Sequence, residues 1–396
     1  MGNAAETLER RLDALYAIGA QPDGGTFRPL YGDAWVEALA RVEGWMRGAG
    51  LATRRDAVGN LWGRADGDGK AIVTGSHIDT VRHGGRLDGA LGICAGLTAV
   101  ETLLKERGKP RRPLEVVAIC EEEGSRFATN FWGSRAIVGA IDAVDLEIAT
   151  AMRERGLDPA KVRSAERDDI DSFVELHIEQ GIVLESAGLP LGVVSTIVGT
   201  AHLEVTVTGQ PDHAGTTRMG LRRDALVAAA AMIQATEAIA LALDGETVAT
   251  VGRIRAEPDQ MNVIPGRVTF TVDLRHPELG ARRALEERIR TRCAAVASER
   301  GVDVAVRLLQ EKPPVPMHPE LRALLARAAR DSGVQTMELV SGAGHDAQIL
   351  AARCTVGMLF VPSIDGRSHC PEEATKPADL ERGLKVLTRA LELLAY

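Results

Sequence analysis

The stretch PLEVVAICEEEGSRF, residues 113–127, runs from a short apolar segment directly into three consecutive glutamates. The apolar segment follows a helical pattern, LGICAGLTAVETLLKERG at 91–108, that ends at a glycine. Short apolar runs that alternate with helices are typical of βαβ units built around a buried, mostly parallel sheet. The stretch therefore predicts an α/β fold, with the glutamates just beyond the carboxyl end of a strand.

Two more predicted strands of this part of the chain also end in polar side chains. They are KAIVTGSHIDT at 70–80 and SFVELHIEQG at 172–181. In open α/β sheets, functional groups collect beyond the carboxyl ends of the strands. We therefore expect these strand ends and the glutamates to share one rim.

The pattern changes near residue 202. HLEVTVTG (202–209) and RVTFTVDLR (267–275) alternate apolar and polar residues, and helical segments follow each of them. Such alternation predicts an antiparallel sheet with one covered face. We infer an α+β domain at 202–318, inserted into a main domain made of 1–201 and 319–396.

Bulk properties exclude several classes of protein. With 396 residues, the chain exceeds what one hydrophobic core usually organises. The net charge of −8 gives no support to nucleic-acid or membrane binding. We find no apolar run of roughly 20 residues and no signal-peptide core. Five cysteines without a CxxC pair favour a reduced, cytoplasmic setting.

Candidate metal ligands lie at the predicted strand ends and in nearby loops. They are His77, Asp79, Asp88, the glutamates 121–123, His177 and His369. Imidazole and carboxylate together suit Zn²⁺ or Mn²⁺. Taken singly, each has an ordinary alternative: a hydrogen-bonded structural histidine, an Asx-turn aspartate, a solvated turn. Their joint placement on one rim favours the metal interpretation.

Nine motifs in order along the chain carry a family resemblance. They are GSHIDT, RLDGALG, EEEGSRF, HIEQG, DHAGTTRM, MNVIPG, DLRH, SGAGHDA and SHCPEE. The sequence resembles the M20-type binuclear metallo-amidohydrolases, and within them the branch that hydrolyses ureido groups. The resemblance implies a metal-binding catalytic domain, an inserted lid or dimerisation domain and two Zn²⁺ or Mn²⁺ ions per subunit. We also expect a homodimer joined through the insert, because its alternating strands leave an edge that pairing would satisfy.

The resemblance also implies roles for single residues of the main domain. Asp88 would bridge the two ions, with His77 and His177 on one ion and Glu123 and His369 on the other. Glu122 would be the general base, and Asp79 would orient the ring of His77. Because three glutamates precede Gly124, the register is open by one position; the EEG pattern of the family assigns Glu122 and Glu123. Glu121 has no assigned role beyond a hydrogen bond behind the site.

Substrate-binding roles follow from the same resemblance. His213 would polarise the developing oxyanion, in its own site or in that of a partner subunit, and Asn262 and Arg275 would hold the substrate carboxylate. The pocket would be completed by Gln180, Gly344 and His345. Two alternatives stay open, since Asn262 can cap a turn and Arg275 can pair with Asp273 or Glu278.

The substrate class is narrowed by the same motifs. Related peptidases commonly carry a carboxylate at the position of His177, so hydrolysis of a small ureido-carboxylate is favoured over peptide hydrolysis. FATNFWGSR, SGAGHDAQ and SIDGRSHCPEE resemble allantoate amidohydrolases more than carbamoylases, and this resemblance favours allantoate. An N-carbamoyl-L-amino acid or β-ureidopropionate is the alternative. A catalytically inactive metabolite-binding relative or a scaffold dimer is disfavoured, because the base and every ligand are present.

Overall fold

The computed structural model describes residues 4–243 and 245–396. The chain divides into two compact units: one runs to Ser195 and resumes at Pro316, and the other is Thr196–Val315. The boundary predicted at residue 202 lies inside a strand, Gly199–Thr208, because the alternation becomes recognisable only after the first residues of that strand.

The described residues form fifteen strands and eleven α-helices. The strands are β1 (Ala52–Arg55), β2 (Leu61–Ala65), β3 (Ala71–His77), β4 (Leu114–Ile119), β5 (Ile170–Ile178), β6 (Gly192–Ile197), β7 (Gly199–Thr208), β8 (Asp212–His213), β9 (Val248–Glu257), β10 (Val263–Ile264), β11 (Arg267–His276), β12 (Asp303–Lys312), β13 (Val315–Pro316), β14 (Met337–Ser341) and β15 (Thr355–Val361). The helices are α1 (Ala4–Tyr16), α2 (Asp33–Gly48), α3 (Ala90–Arg107), α4 (Trp132–Ile137), α5 (Leu146–Glu154), α6 (Val183–Ala187), α7 (Ala225–Leu241), α8 (Leu279–Arg300), α9 (Pro319–Asp331), α10 (Asp346–Leu350) and α11 (Pro377–Ala395).

The main sheet is mixed, with a parallel centre. Strands β4, β3, β5 and β15 are parallel neighbours, while β2 and β6 flank them in antiparallel orientation. Every residue of β3 and β4 is buried, as expected for strands covered on both faces. The predicted α/β fold with a mostly parallel main sheet is confirmed.

Helix α3 follows the loop that carries Asp88 and lies in the core of the first unit. Its residues from Ala90 to Val100 are all buried, and it packs against β3, α1 and α11. The helix ends at Gly108, whose φ of 76° is easily adopted by glycine. The long buried helix fixes the loop that precedes it, which carries Asp88.

The second unit is built on a four-stranded antiparallel sheet in the order β12–β7–β11–β9. The apolar side chains of β7 and β11 alternate onto one buried face, where Val205 pairs with Phe270 in register. Helices α7 and α8 cover this face, and the Asp224 carboxylate caps α7 by accepting from the N–H of Leu226 and Val227. The predicted antiparallel sheet is confirmed.

Two further features of the described residues complete the fold. None of their helices combines the length and apolar character needed to cross a bilayer. The five cysteines are all free thiols.

Candidate metal centre

The parallel strands bring the predicted ligands to one edge of the main sheet. His77 is the last residue of β3, the glutamates 121–123 follow β4, and His177 lies one residue before the end of β5. His369 follows β15, and Asp88 lies in the loop before α3. The arrangement follows from strand direction, since the carboxyl ends of parallel neighbours meet at the same edge.

The Asp88 carboxylate faces a different set of ligands with each of its oxygens. Its Oδ1 lies 3.4 Å from Nε2 of His77 and 3.1 Å from Nε2 of His177. Its Oδ2 lies 3.0 Å from Nε2 of His369, and this nitrogen lies 3.4 Å from Oε1 of Glu123. One carboxylate is therefore shared by two three-residue clusters.

The spacing of these donor atoms fits divalent cations. Two ligands of a tetrahedral Zn²⁺ at ordinary bond lengths lie about 3.4 Å apart, close to the distances across Asp88. In each cluster, His77–Asp88–His177 and Asp88–Glu123–His369, the ligand atoms all lie within 4.8 Å of one another. Glu123 Oε1 is buried without a hydrogen-bond partner, as expected of an atom whose partner is a cation.

The second nitrogen of each buried histidine fixes which nitrogen faces Asp88. His177 Nδ1 lies 2.9 Å from the carbonyl oxygen of Ile178, so Nδ1 carries the proton and Nε2 turns its lone pair toward Asp88. His77 Nδ1 lies 3.2 Å from the carbonyl oxygen of Asp79 and 3.3 Å from its Oδ1. Burial lowers the pKa of His77, but the carboxylates of Asp79 and Asp88 outweigh burial and raise the pKa well above its usual value.

Asp79 does more than the predicted orientation of His77. Its Oδ1 accepts from the backbone N–H of Glu122 at 3.0 Å, and its Oδ2 accepts from that of Glu123 at 3.2 Å. The carboxylate is fully buried. Asp79 therefore sets the backbone position of the glutamate loop as well as the histidine ring.

The three glutamates have three different surroundings. Glu121 is buried, and its carboxylate accepts from the backbone N–H of Trp132 at 3.1 Å and from that of Gly124. Burial, with the charge of Asp79, raises the pKa of Glu121 to about 9. This residue shapes the loop behind the site, a role that its position in the sequence did not reveal.

Glu122 is held by its backbone while its side chain lies beside the ligands. Its N–H donates to Asp79, and its carbonyl oxygen accepts from the N–H of Phe131 at 3.0 Å. Its carboxylate forms a potential ligand group with His77 and Glu123. Burial raises the pKa of Glu122 well above its usual value, and the charge of Glu123 adds to the shift although His77 opposes it. A carboxylate with a raised pKa is suited to take a proton.

The predicted pocket residues of the first unit lie beside the two clusters. Gln180 Nε2 donates to Asp88 Oδ2 at 3.1 Å, while its Oε1 is buried without a partner. The His345 ring meets the His177 ring edge-on with 4.6 Å between centroids, and its Nε2 lies 3.0 Å from Ser341 Oγ. Gly344 lies against the ring of Phe131, and a Cβ added to Gly344 would lie 3.0 Å from Cζ of that ring.

The remaining predicted residues lie in the second unit. His213 is in β8, which pairs with β10, and the N–H of Ala214 donates to the carbonyl oxygen of Asn262 at 3.0 Å, so the two motifs are neighbours. Arg275 is in β11 and binds the Asp273 carboxylate through Nε at 3.1 Å and Nη2 at 2.8 Å. For Arg275 the structure shows the ion pair with Asp273 that was the alternative to substrate binding.

Three buried carboxylates near the ligands were missed by sequence reasoning. Glu175 accepts from Ser76 Oγ at 2.6 Å, Asp346 is fully buried at the start of α10, and Glu373 supports the Asp88 loop. A charged residue inside the apolar run FVELHI was the available signal for Glu175. No signal in SHCPEE separates buried Glu373 from exposed Glu372.

Comparisons with known proteins point to one family. The model of the peptidase family M20/M25/M40 matches residues 73–393. The chain is 40% identical to an allantoate amidohydrolase of Escherichia coli, over 99% of this chain and 98% of that one. It is also 40% identical to an N-carbamoyl-L-amino acid amidohydrolase of Geobacillus stearothermophilus, over 98% of each. A crystal structure from Burkholderia multivorans, described as an amidase of the hydantoinase/carbamoylase family, superposes with a TM-score of 0.92 at 34% identity, covering 99% of this chain and 98% of that one.

Proposed function

The chain belongs to the peptidase family M20/M25/M40, and from this premise we propose that it is a two-metal amidohydrolase that cleaves a ureido C–N bond in a small carboxylate substrate. The relatives at 40% identity over nearly the full chain are named amidohydrolases. The main support for the proposal is the position of the Asp88 carboxylate between the two ligand clusters. Its Oδ1 faces two histidines and its Oδ2 faces a third. A shared carboxylate between two cation sites is the arrangement needed for two-metal hydrolysis.

Each ligand and the base have a defined task in the proposal. His77, Asp88 and His177 hold one ion, and Asp88, Glu123 and His369 hold the other. Zn²⁺ or Mn²⁺ ions bound there supply polarisation of the ureido carbonyl and a lowered pKa for the attacking water. Glu122 takes the proton of that water at its carboxylate and delivers it to the leaving nitrogen. Asp79 holds the backbone of Glu122 so that this carboxylate stays in place.

Substrate recognition is assigned to the residues that the motif resemblance implies. His213 stabilises the developing oxyanion, and Asn262 and Arg275 bind the substrate carboxylate. Gln180, Gly344 and His345 complete the pocket. Because Asp273 already occupies one edge of the Arg275 guanidinium, the substrate carboxylate has to compete with Asp273 for that edge or approach another.

We favour allantoate as the substrate, with ureidoglycine, ammonia and CO₂ as products. The preference rests on the amino-acid sequences of the loops around Phe131, His345 and His369. An N-carbamoyl-L-amino acid is the second candidate, because relatives with that name are as similar as those named for allantoate.

A substrate panel tests the proposal. Initial rates are compared for allantoate, a set of N-carbamoyl-L-amino acids and a dipeptide, with ammonia release for the first two and ninhydrin detection for the last. We expect the highest kcat/KM with allantoate and no turnover of the dipeptide. Preference for a carbamoyl amino acid would reassign the substrate, and hydrolysis of the dipeptide alone would refute ureido hydrolysis.

We also propose a homodimer joined through the second unit, in a reducing compartment such as the cytoplasm. Strand β9 is an edge of the antiparallel sheet and exposes Val248 and Ile254, while the adjacent helix α7 exposes Leu226 and Leu241. Helix α7 carries only Glu237 as a charged residue, whereas α8, beside the other edge, is rich in arginine and glutamate. An unpaired edge beside an apolar helix face is a surface that pairing with a second copy would cover.

A further inference from the structure

Glu373 is a buried carboxylate next to the proposed metal centre that the mechanism does not use. It lies in the segment between β15 and α11, four residues after His369, and its exposed fraction is 5%. Its neighbour Glu372 has an exposed side chain that pairs with Arg367 at 3.0 Å. Two adjacent glutamates of one loop therefore have opposite environments.

The Glu373 carboxylate joins two loops that are far apart in the sequence. Its Oε1 accepts from the backbone N–H of Leu87 at 2.7 Å and from that of Asp88 at 3.0 Å. Its Oε2 lies 2.7 Å from Ser368 Oγ, which donates to it. Both oxygens are engaged by donors, so Glu373 acts as a link between loops rather than as a metal ligand.

The backbone on both sides of this link is closely fitted. A Cβ at Gly85 would overlap the Glu373 carboxylate, so the glycine is what lets the Asp88 loop approach. On the other side, the loop that carries His369 is closed at its base by the N–H of Ile364, which donates to the carbonyl oxygen of Ala374 at 2.9 Å. His369 itself has a φ of 57°, a conformation that non-glycine residues adopt only when their surroundings hold them there.

The two proposed ion sites depend on this link to different degrees. His77 and His177 lie on neighbouring strands of the main sheet, which hydrogen bonds between strands hold in place. Asp88 has a further anchor, since its carbonyl oxygen accepts from Ala90 at the start of α3. By contrast, His369 lies on a loop, and its distance to Asp88 Oδ2 depends on how the two loops are joined.

We propose that Glu373 is a positioning residue that sets the affinity of the ion site formed by Asp88, Glu123 and His369, by tying the Asp88 loop to the His369 loop. The inference rests on the proposed two-metal function. Outer hydrogen-bond partners of metal ligands typically change metal affinity by about 10–100-fold. The site formed by His77, Asp88 and His177 changes much less, because strand pairing holds its histidines.

The test is equilibrium dialysis of the full chain against buffered Zn²⁺, with bound metal counted by mass spectrometry. We expect Glu373→Ala to keep one ion at the wild-type affinity and to bind the second about 10–100-fold more weakly. Glu373→Gln restores the second ion, because its amide oxygen still accepts from Leu87 and Asp88 and its amide nitrogen donates to Ser368 Oγ. Glu372→Ala is the matched control and binds both ions as the wild type does.

The outcomes separate this inference from the proposed function. If wild type and Glu373→Ala bind two ions equally well, the positioning role is wrong and the two-metal function stands. Parallel loss of both ions in Glu373→Ala and Glu373→Gln would also overturn it. If Glu373→Ala does not fold, Glu373→Asp decides: its side chain is one methylene shorter and cannot span both loops, so a weakened second ion supports the link, and unchanged binding of both ions overturns it. Wild type that binds no ion would refute the proposed function itself.

Discussion

At the scale of single residues, the glutamates after β4 differ in what holds them. Glu121 satisfies buried backbone donors of Gly124 and Trp132, whereas Glu122 and Glu123 receive their support through backbone bonds to Asp79. Because burial raises the pKa of Glu121 to about 9, this side chain is uncharged near neutral pH, and two cations would neutralise Glu122 and Glu123. Substitution of Glu121 is therefore expected to lower stability, whereas substitution of Glu122 is expected to lower turnover.

Glu122→Gln removes the proposed base without removing a backbone contact. We expect kcat, measured by ammonia release, to fall by about 10²–10⁴-fold. The metal content, measured by mass spectrometry, and the midpoint of thermal unfolding should not change.

Glu121→Ala is the contrasting variant. It leaves buried N–H groups unsatisfied, so the free energy of unfolding in urea is expected to fall by about 1–3 kcal/mol. Retained activity in Glu122→Gln, or equal stability losses in the two variants, would contradict the assigned roles.

His369 predicts how metal binding depends on pH. The hydrogen bond to Asp88, with the charge of Glu123, raises the pKa of His369 to about 9 against the effect of burial. A raised pKa means that the ring is protonated at neutral pH in the metal-free protein and has to lose its proton to bind a cation. Metal affinity should therefore rise from about pH 6 to about pH 9, with proton release on binding.

Calorimetric titration with Zn²⁺ in buffers of different ionisation enthalpy measures the protons released. An affinity that does not change over this pH range, with no released protons, would show that His369 does not exchange a proton for a metal ion.

At the scale of strands and loops, the sequence predicts where the functional side chains lie better than it predicts which side chains they contact. The apolar runs of β3, β4 and β5 placed their ends on one rim, because strand direction alone determines where parallel strands end. The partners could not be predicted in the same way. Asp273 and Arg275 are two apart on β11 and share a face, but only coordinates show that they pair. Glu373 differs from Glu372 only through loop closure, which no local pattern encodes.

Arg275→Ala tests the substrate role of the end of β11. Loss of a charged hydrogen bond to the substrate carboxylate is worth about 1.5–3 kcal/mol, so KM should rise roughly tenfold to hundredfold with metal content unchanged. Arg267→Ala, at the exposed start of the same strand, is the matched control. Steady-state kinetics that are the same for both variants would remove Arg275 from the proposed substrate pocket.

At the scale of the whole molecule, the two helices that cover the sheet of the second unit differ in character. Helix α8, beside β12, is rich in charged residues, whereas α7, beside the edge strand β9, is largely apolar. Ile254→Lys places a charge on the exposed edge strand β9 and should convert the proposed dimer to a monomer, as measured by light scattering after size exclusion. Leu146→Lys, at a more exposed position on α5 of the first unit, is the control and should stay dimeric. A wild-type monomer, or a dimer that Ile254→Lys leaves intact, would exclude β9 from the interface.

The proposed hydrolysis of a ureido bond requires two ions, with Asp88 as a ligand of both. Protein stripped of metal with a chelator is titrated with Zn²⁺ or Mn²⁺ while ammonia release from allantoate and N-carbamoyl-L-amino acids is followed. We predict no turnover without metal and full turnover only as the second equivalent per chain is bound. The two-metal proposal would be contradicted by turnover in the stripped protein or by saturation at one equivalent of metal. It would also be contradicted if no ureido substrate released ammonia at two equivalents.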